Sequence, residues 1–148
     1  MDKNKQLIQL SERGRFWRVP FDELSPPEQV FRAVWDLEAD VNNGGFDQYF
    51  FNDSGDTAFA VVGALEAIGA HRAARIAAAA NALFPGSTPP RDRDERQAQL
   101  DALEEKNKAV LEDLDQEFYR YPDNLIELLH DYVKRNAASI WGAADLGF

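Results

Sequence analysis

Carboxylates carry most of the chemistry this 148-residue chain could do: it holds 26 acids, 16 bases, two histidines and no cysteine. The acids are unevenly placed, with 13 of them in residues 92–131 against five bases. Within that stretch Asp101, Glu105, Glu112 and Asp115 recur at 0, +4, +11 and +14. On an α-helix of 3.6 residues per turn these share one flank. Four residues rise about 6 Å, close to the scale on which DNA repeats its backbone charge. Glu104, Asp113 and Glu117 widen the negative surface, and Asp94 and Glu95 extend it backward. A groove that neutralises phosphates could dock on such a surface, its Arg and Lys giving charge-assisted hydrogen bonds to the carboxylates. The plainer alternative is the solvated face of an amphipathic helix, with Lys106 and Lys108 interrupting the run and Glu104–Lys108 forming an i,i+4 pair.

Other chemistry finds little support. Glu127-Leu128-Leu129-His130 is a Glu-x-x-His, which di-iron bundles use on two helices, but there is one copy and His71 has no glutamate three residues before it. Both histidines therefore read as surface or capping residues. Asn52-Asp53-Ser54-Gly55-Asp56 resembles a calcium loop in composition alone, lacking the alternating ligands and the closing glutamate. Phosphate-loop, dinucleotide-glycine and nucleophile-elbow patterns are absent. No catalytic residue, metal ligand or cofactor is nominated, and the expectation is a protein that is not an enzyme.

The elements that would position these side chains are helical almost throughout. Ser25-Pro26-Pro27-Glu28 carries a capping box with proline in the first turn, and Val30, Phe31, Val34, Leu37 and Val41 continue as one apolar stripe. Asn42-Asn43-Gly44-Gly45 stops that helix, since glycine accepts the left-handed conformation of a helix end, and a short aromatic helix over 46–51 follows. Helices over about 57–68 and 70–84 meet at Gly69 as a hairpin. Pro85 to Pro90 forms a stiff loop. A long helix is predicted over 92–119, with Leu100, Leu103, Val110, Leu111, Leu114 and Phe118 as its apolar stripe, and a last one over 123–138, with Trp141 and Phe148 docking the tail. Residues 1–24 form an arm whose Arg15-Phe16-Trp17-Arg18 packs its aromatics on the core and could cover acids of its own chain. The fold class is all-α: one compact multi-helix domain over 1–148, built around a core at 25–140.

The longest apolar run, Ile76–Ala80, is far too short to cross a bilayer. With the charged start of the chain and the lack of cysteine, the expected location is the cytoplasm. The net charge of −10 repels nucleic acid and anionic lipid.

The stretch Glu38-Ala39-Asp40-Val41-Asn42-Asn43-Gly44-Gly45-Phe46-Asp47-Gln48-Tyr49-Phe50-Phe51-Asn52, continued through Ser54-Gly55-Asp56, Ala64–Ala70 and Ala82–Pro85, resembles the core motif of the bacterial DNA-mimic protein family. The resemblance spans about 25–140. It implies an all-helical fold whose acidic face stands in for DNA phosphates before a DNA-binding or otherwise basic protein, often as a homodimer. In physical terms Phe46, Tyr49 and Phe50 share one face and bury, while Gln48 and Asn52, four apart, share another and either hold the turn or line a polar pocket. The function expected is a protein-binding regulator presenting its acids to the DNA-binding surface of a partner such as a transcription factor. The alternative is an acidic immunity or inhibitor-type module against a basic toxin, and a metal-dependent enzyme ranks third.

Overall fold

A computed structural model describes residues 2–148. Seven α-helices, joined by short 3-10 turns, account for its regular structure, and no strand occurs among the described residues. Helix α1 (Lys3–Arg13) begins at Asp2, whose carboxylate accepts the Asn4 and Lys5 N–H groups. Helix α2 (Pro26–Phe51) starts at the capping box: the Glu28 N–H donates to Ser25 Oγ and the Ser25 N–H to Glu28 Oε1. α2 is kinked where the sequence places its stop, at Gly44 and Gly45. Helices α3 (Ala58–Ala67) and α4 (His71–Asn81) turn back on each other through Gly69 at φ +85°. Asn81 ends α4 and donates to the Ala58 carbonyl at 3.0 Å, tying the hairpin's open end.

The acidic half departs from expectation. In place of one long helix there are two, α5 (Arg93–Asp101) and α6 (Glu105–Tyr119), with Glu104 in an extended conformation as the N-cap of the second. A straight helix over 92–119 would run about 42 Å. The break lets α5 cross the end of α2 while α6 packs along α2 and α4. Helix α7 (Leu125–Arg135) then packs against α1 and α2.

The core runs along α2. Phe16 stacks on Phe31 at 4.4 Å, Phe46 meets Phe118 edge-on at 6.0 Å, and Phe50 meets Phe84 at 4.7 Å. Such aromatic pairs hold the arm, the α2 kink, the α4 end and α6 to one apolar centre. Three assignments of apolar residues are corrected. Val110 is exposed, off the inward stripe of Leu111, Leu114 and Phe118 on α6, while Leu103, in the break before α6, packs partly buried against the core as expected. Trp141 is 54% exposed, and Ile140 and Ala143 dock the tail together with Phe148, which packs partly buried on the core as expected. In the arm Phe16 is buried whereas Trp17 is 45% exposed. No helix is long and apolar enough to cross a membrane among the described residues.

Candidate protein-binding surface

The motif over 38–56 builds a turn, and the structure shows which atoms hold it. Gly45 takes φ +76° and ψ −178°, a conformation open essentially to glycine. Its bare α-carbon also makes room for Asp115: a Cβ there would lie 2.5 Å from Asp115 Oδ2. Asp115, reaching over from α6, accepts the Phe46 N–H at 2.7 Å. It therefore caps the restarted helix 46–51, whose first N–H groups have no partner of their own. On the other side of the kink Asn43 donates to Gln48 Oε1 at 3.2 Å, Gln48 donates to Asp40 Oδ1 at 3.0 Å, and Ser54 donates to Asp40 Oδ2. Asn42 donates to Glu38 one turn back at 2.9 Å. Gln48 thus serves the turn. Asn52 contributes through its backbone: its N–H donates to the Gln48 carbonyl, and its own carbonyl accepts from Gly55 N–H and from Arg96.

Arg96 is the residue that sequence reasoning missed. Its side chain is fully buried, and its guanidinium donates to the carbonyls of Phe50 (2.7 Å), Asn52 (2.7 Å), Pro90 (2.9 Å) and Arg91 (3.1 Å) and to Asp56 Oδ1 (2.9 Å). The last carbonyls of α2 lack helical partners, and a planar five-donor cation from α5 meets them together with the loop before α5. Gly55 permits this approach, since a Cβ there would lie 2.6 Å from the Tyr49 carbonyl oxygen and 2.7 Å from Arg96 Nε. Phe46, Tyr49 and Phe50 are buried as their spacing requires. The calcium-like loop is a 3-10 turn over Asp53–Thr57.

The nine nominated carboxylates divide. Asp94, Glu95, Asp101, Glu112 and Asp113 are exposed and make no ion pair among the described residues. Glu104 pairs with Lys106 at 3.5 Å and Glu105 with Lys108 at 3.8 Å, so the expected Glu104–Lys108 pair is replaced by two others. Asp115 is half-buried in the motif turn. Burial raises its pKa against the Phe46 hydrogen bond, and the nearby charges of Asp47 and Glu112 raise it further. Asp47, at the end of α2, thereby joins Glu112 and Asp115 in one acidic neighbourhood that the spacing argument did not include. Glu117 lies on the other flank of α6, in a cleft with Arg72, Arg75 and Arg120. The four positions expected to share one flank do not do so as one helix, because the break falls between Asp101 and Glu105.

Elsewhere the arm covers acids of its own chain. Arg15 holds the fully buried Glu28 through two hydrogen bonds, at 2.9 and 2.7 Å, and Lys3 pairs with Glu127. Burial works to raise the Glu28 pKa, but Arg15, the Ser25 N–H and hydroxyl, and the Trp141 N–H outweigh it and bring it to about 2. Asp36 behaves in the opposite way: burial, reinforced by Asp40, Asp53 and Asp56 and opposed by Arg32, pushes it up to about 7. His71 pairs with Glu66 on the surface. His130 is buried rather than superficial: its Nε2 meets Gln6 Oε1 at 2.7 Å and its ring lies 5.0 Å from Phe148. Burial lowers its pKa. No group of three or more His, Asp or Glu side chains is placed to hold a metal ion among the described residues.

The family model described as DMP19-like protein matches residues 22–136, a span that contains the α2 kink, the Arg96 clamp and both acidic helices. No curated protein and no solved structure matches the chain. With most of its length matched, the chain belongs to the DMP19-like family, the DNA mimic protein family that the motif resembles.

Proposed function

We propose that this protein is a regulator that binds the DNA-binding surface of a partner protein, such as a transcription factor, with its carboxylates in the place of DNA phosphates. The observation that carries the reading is the state of the acids on α5, α6 and the end of α2: Asp94, Glu95, Asp101, Glu112 and Asp113 stand exposed and make no ion pair among the described residues, and Asp47 and Glu112 both lie near enough to Asp115 to raise its pKa. Surface carboxylates left without internal partners are free to take hydrogen bonds from Arg and Lys. Family membership supports the same reading. Of the remaining nominated acids, Glu104 and Glu105 pair with Lys106 and Lys108, Asp115 is engaged with the Phe46 N–H, and Glu117 lines a cleft with three arginines.

Immobilised protein exposed to lysate of the native host provides the test. The expected captive is a DNA-binding protein, released as salt rises, because the contact is mostly screened charge, and displaced by duplex DNA. Reversal of Asp101 and Glu112 to lysine should abolish capture at an unchanged melting temperature. Capture indifferent to salt, duplex DNA and charge reversal refutes the proposal. A basic captive that duplex DNA does not displace favours the immunity or inhibitor-type reading.

A further inference from the structure

We propose that the cleft between α4 and the C-terminal end of α6 binds a small organic phosphate monoester. Arg72 and Arg75, neighbours at i and i+3 on α4, and Arg120, which closes α6, line it together, and Ile76, Ala79 and Leu114 give it an apolar floor. Its volume of about 360 Å³ lies within the range of ordinary small-molecule sites.

Three arginines against one acid in the lining single the cleft out: Arg13 and Arg18, which also make no ion pair among the described residues, share their cleft with Glu12 and Asp145, and Arg135 lies over the Tyr132 ring. The chain carries a net −10, and Arg15, Arg32, Arg91, Arg93 and Arg96 all pair with carboxylates. The side chains of Arg75 and Arg120 make no hydrogen bond or ion pair among the described residues, and Arg72 gives one nitrogen to the Pro122 carbonyl at 3.2 Å. That bond holds Arg72 at the cleft wall and leaves most of its donors free. Two acids lie near. Asp123 is engaged with the Ala73 N–H at 2.8 Å, where it serves the start of α4, and Glu117 lines the cleft. Guanidinium forks match a phosphate bidentately, so three of them with donors to spare suit a dianionic head. The apolar floor suits a compact organic body. Glu117 disfavours a second anionic group and offers an acceptor to a hydroxyl or amine on that body. The turn that carries Arg120 and Pro122 includes Tyr121 at φ +54°, a conformation that non-glycine residues seldom adopt, held by the hydrogen bond from Ile126 N–H to the Tyr121 hydroxyl at 3.0 Å.

Calorimetric titration of the full chain at low salt with AMP, adenosine and inorganic phosphate tests the assignment. The expected result is one saturable AMP site per chain, with phosphate and adenosine each at least tenfold weaker. Arg75→Gln and Arg120→Gln should each weaken AMP binding at least tenfold without moving the melting temperature, since neither side chain makes an internal bond. Lys134→Gln, a charge control away from the cleft, should bind as the parent does. Absence of saturation, or undiminished binding in both arginine variants, overturns the proposal. Equal affinity for AMP and inorganic phosphate overturns the organic part of it and leaves a bare anion site. None of these outcomes depends on the acidic surface.

Discussion

Replacing Arg96 by methionine should destabilise the fold by about 3–5 kcal/mol, the cost of removing one partner of a buried charge network. The guanidinium has no exposed surface and donates to four backbone carbonyls and one carboxylate. Methionine fills much of the volume but leaves those oxygens without donors, at about 1–3 kcal/mol for each one that water cannot reach. Not all of them stay dry, since Asp56 is 41% exposed and sheds little on losing its partner. With a urea m-value of about 2 kcal/mol/M, the unfolding midpoint should fall by about 2 M. Arg96→Lys should recover less than half of the loss, because an ammonium offers three donors and no planar fork. A Gly55→Ala change should be costly alone and cheaper in the Arg96→Met background, since its Cβ meets Arg96 Nε at 2.7 Å; its clash with the Tyr49 carbonyl oxygen persists in both. Urea titration followed by far-ultraviolet circular dichroism reads all four. A loss under 1 kcal/mol for Arg96→Met would refute the clamp.

Gly45→Ala should cost about 2–3 kcal/mol in the same assay, from backbone strain at φ +76° and from displacement of Asp115. Asp115→Ala should cost about 1 kcal/mol, the worth of a helix cap. Glu28 sits at about 2, below its unfolded value, so it stabilises the fold above pH 4.5 and that contribution is lost as pH falls towards 2. Stability measured across that window should fall by about 3 kcal/mol from this group, and Glu28→Gln should flatten the slope. Asp36 is raised to about 7, so the folded state holds its proton more tightly and stability declines as pH rises from about 4 to 7. Asp36→Asn should remove that decline and unfold at higher urea than the parent at pH 8.

The kink and the start of α2 were legible because their causes are local. Ser25 and Glu28 are three residues apart, and consecutive glycines at 44 and 45 announce a reversal wherever they occur. Arg96 was not legible. On an acidic helix it reads as one more solvated base, and only the α2 end brought against it, 46 residues away in sequence, supplies its partners. Asp115 has the same history: its helical phase puts it on the flank of α6, but that flank abuts the Gly45 gap. The break over 102–104 carries neither glycine nor proline, so nothing in the residues themselves marks it. The arginines that share a cleft with Glu117 were not legible either, because Arg72 and Arg75 belong to α4 and Arg120 to the α6 end.

The bond from Phe46 to Asp115 ties α6 to α2 at the kink, so α6 cannot roll or slide without unseating the motif turn. The carboxylates on its exposed face are consequently held in fixed relative positions before any partner arrives. On the proposed function, a docking protein would lose less configurational freedom on association than it would with a loosely held helix, and the spacing of its basic side chains would be read against a ruler that does not stretch.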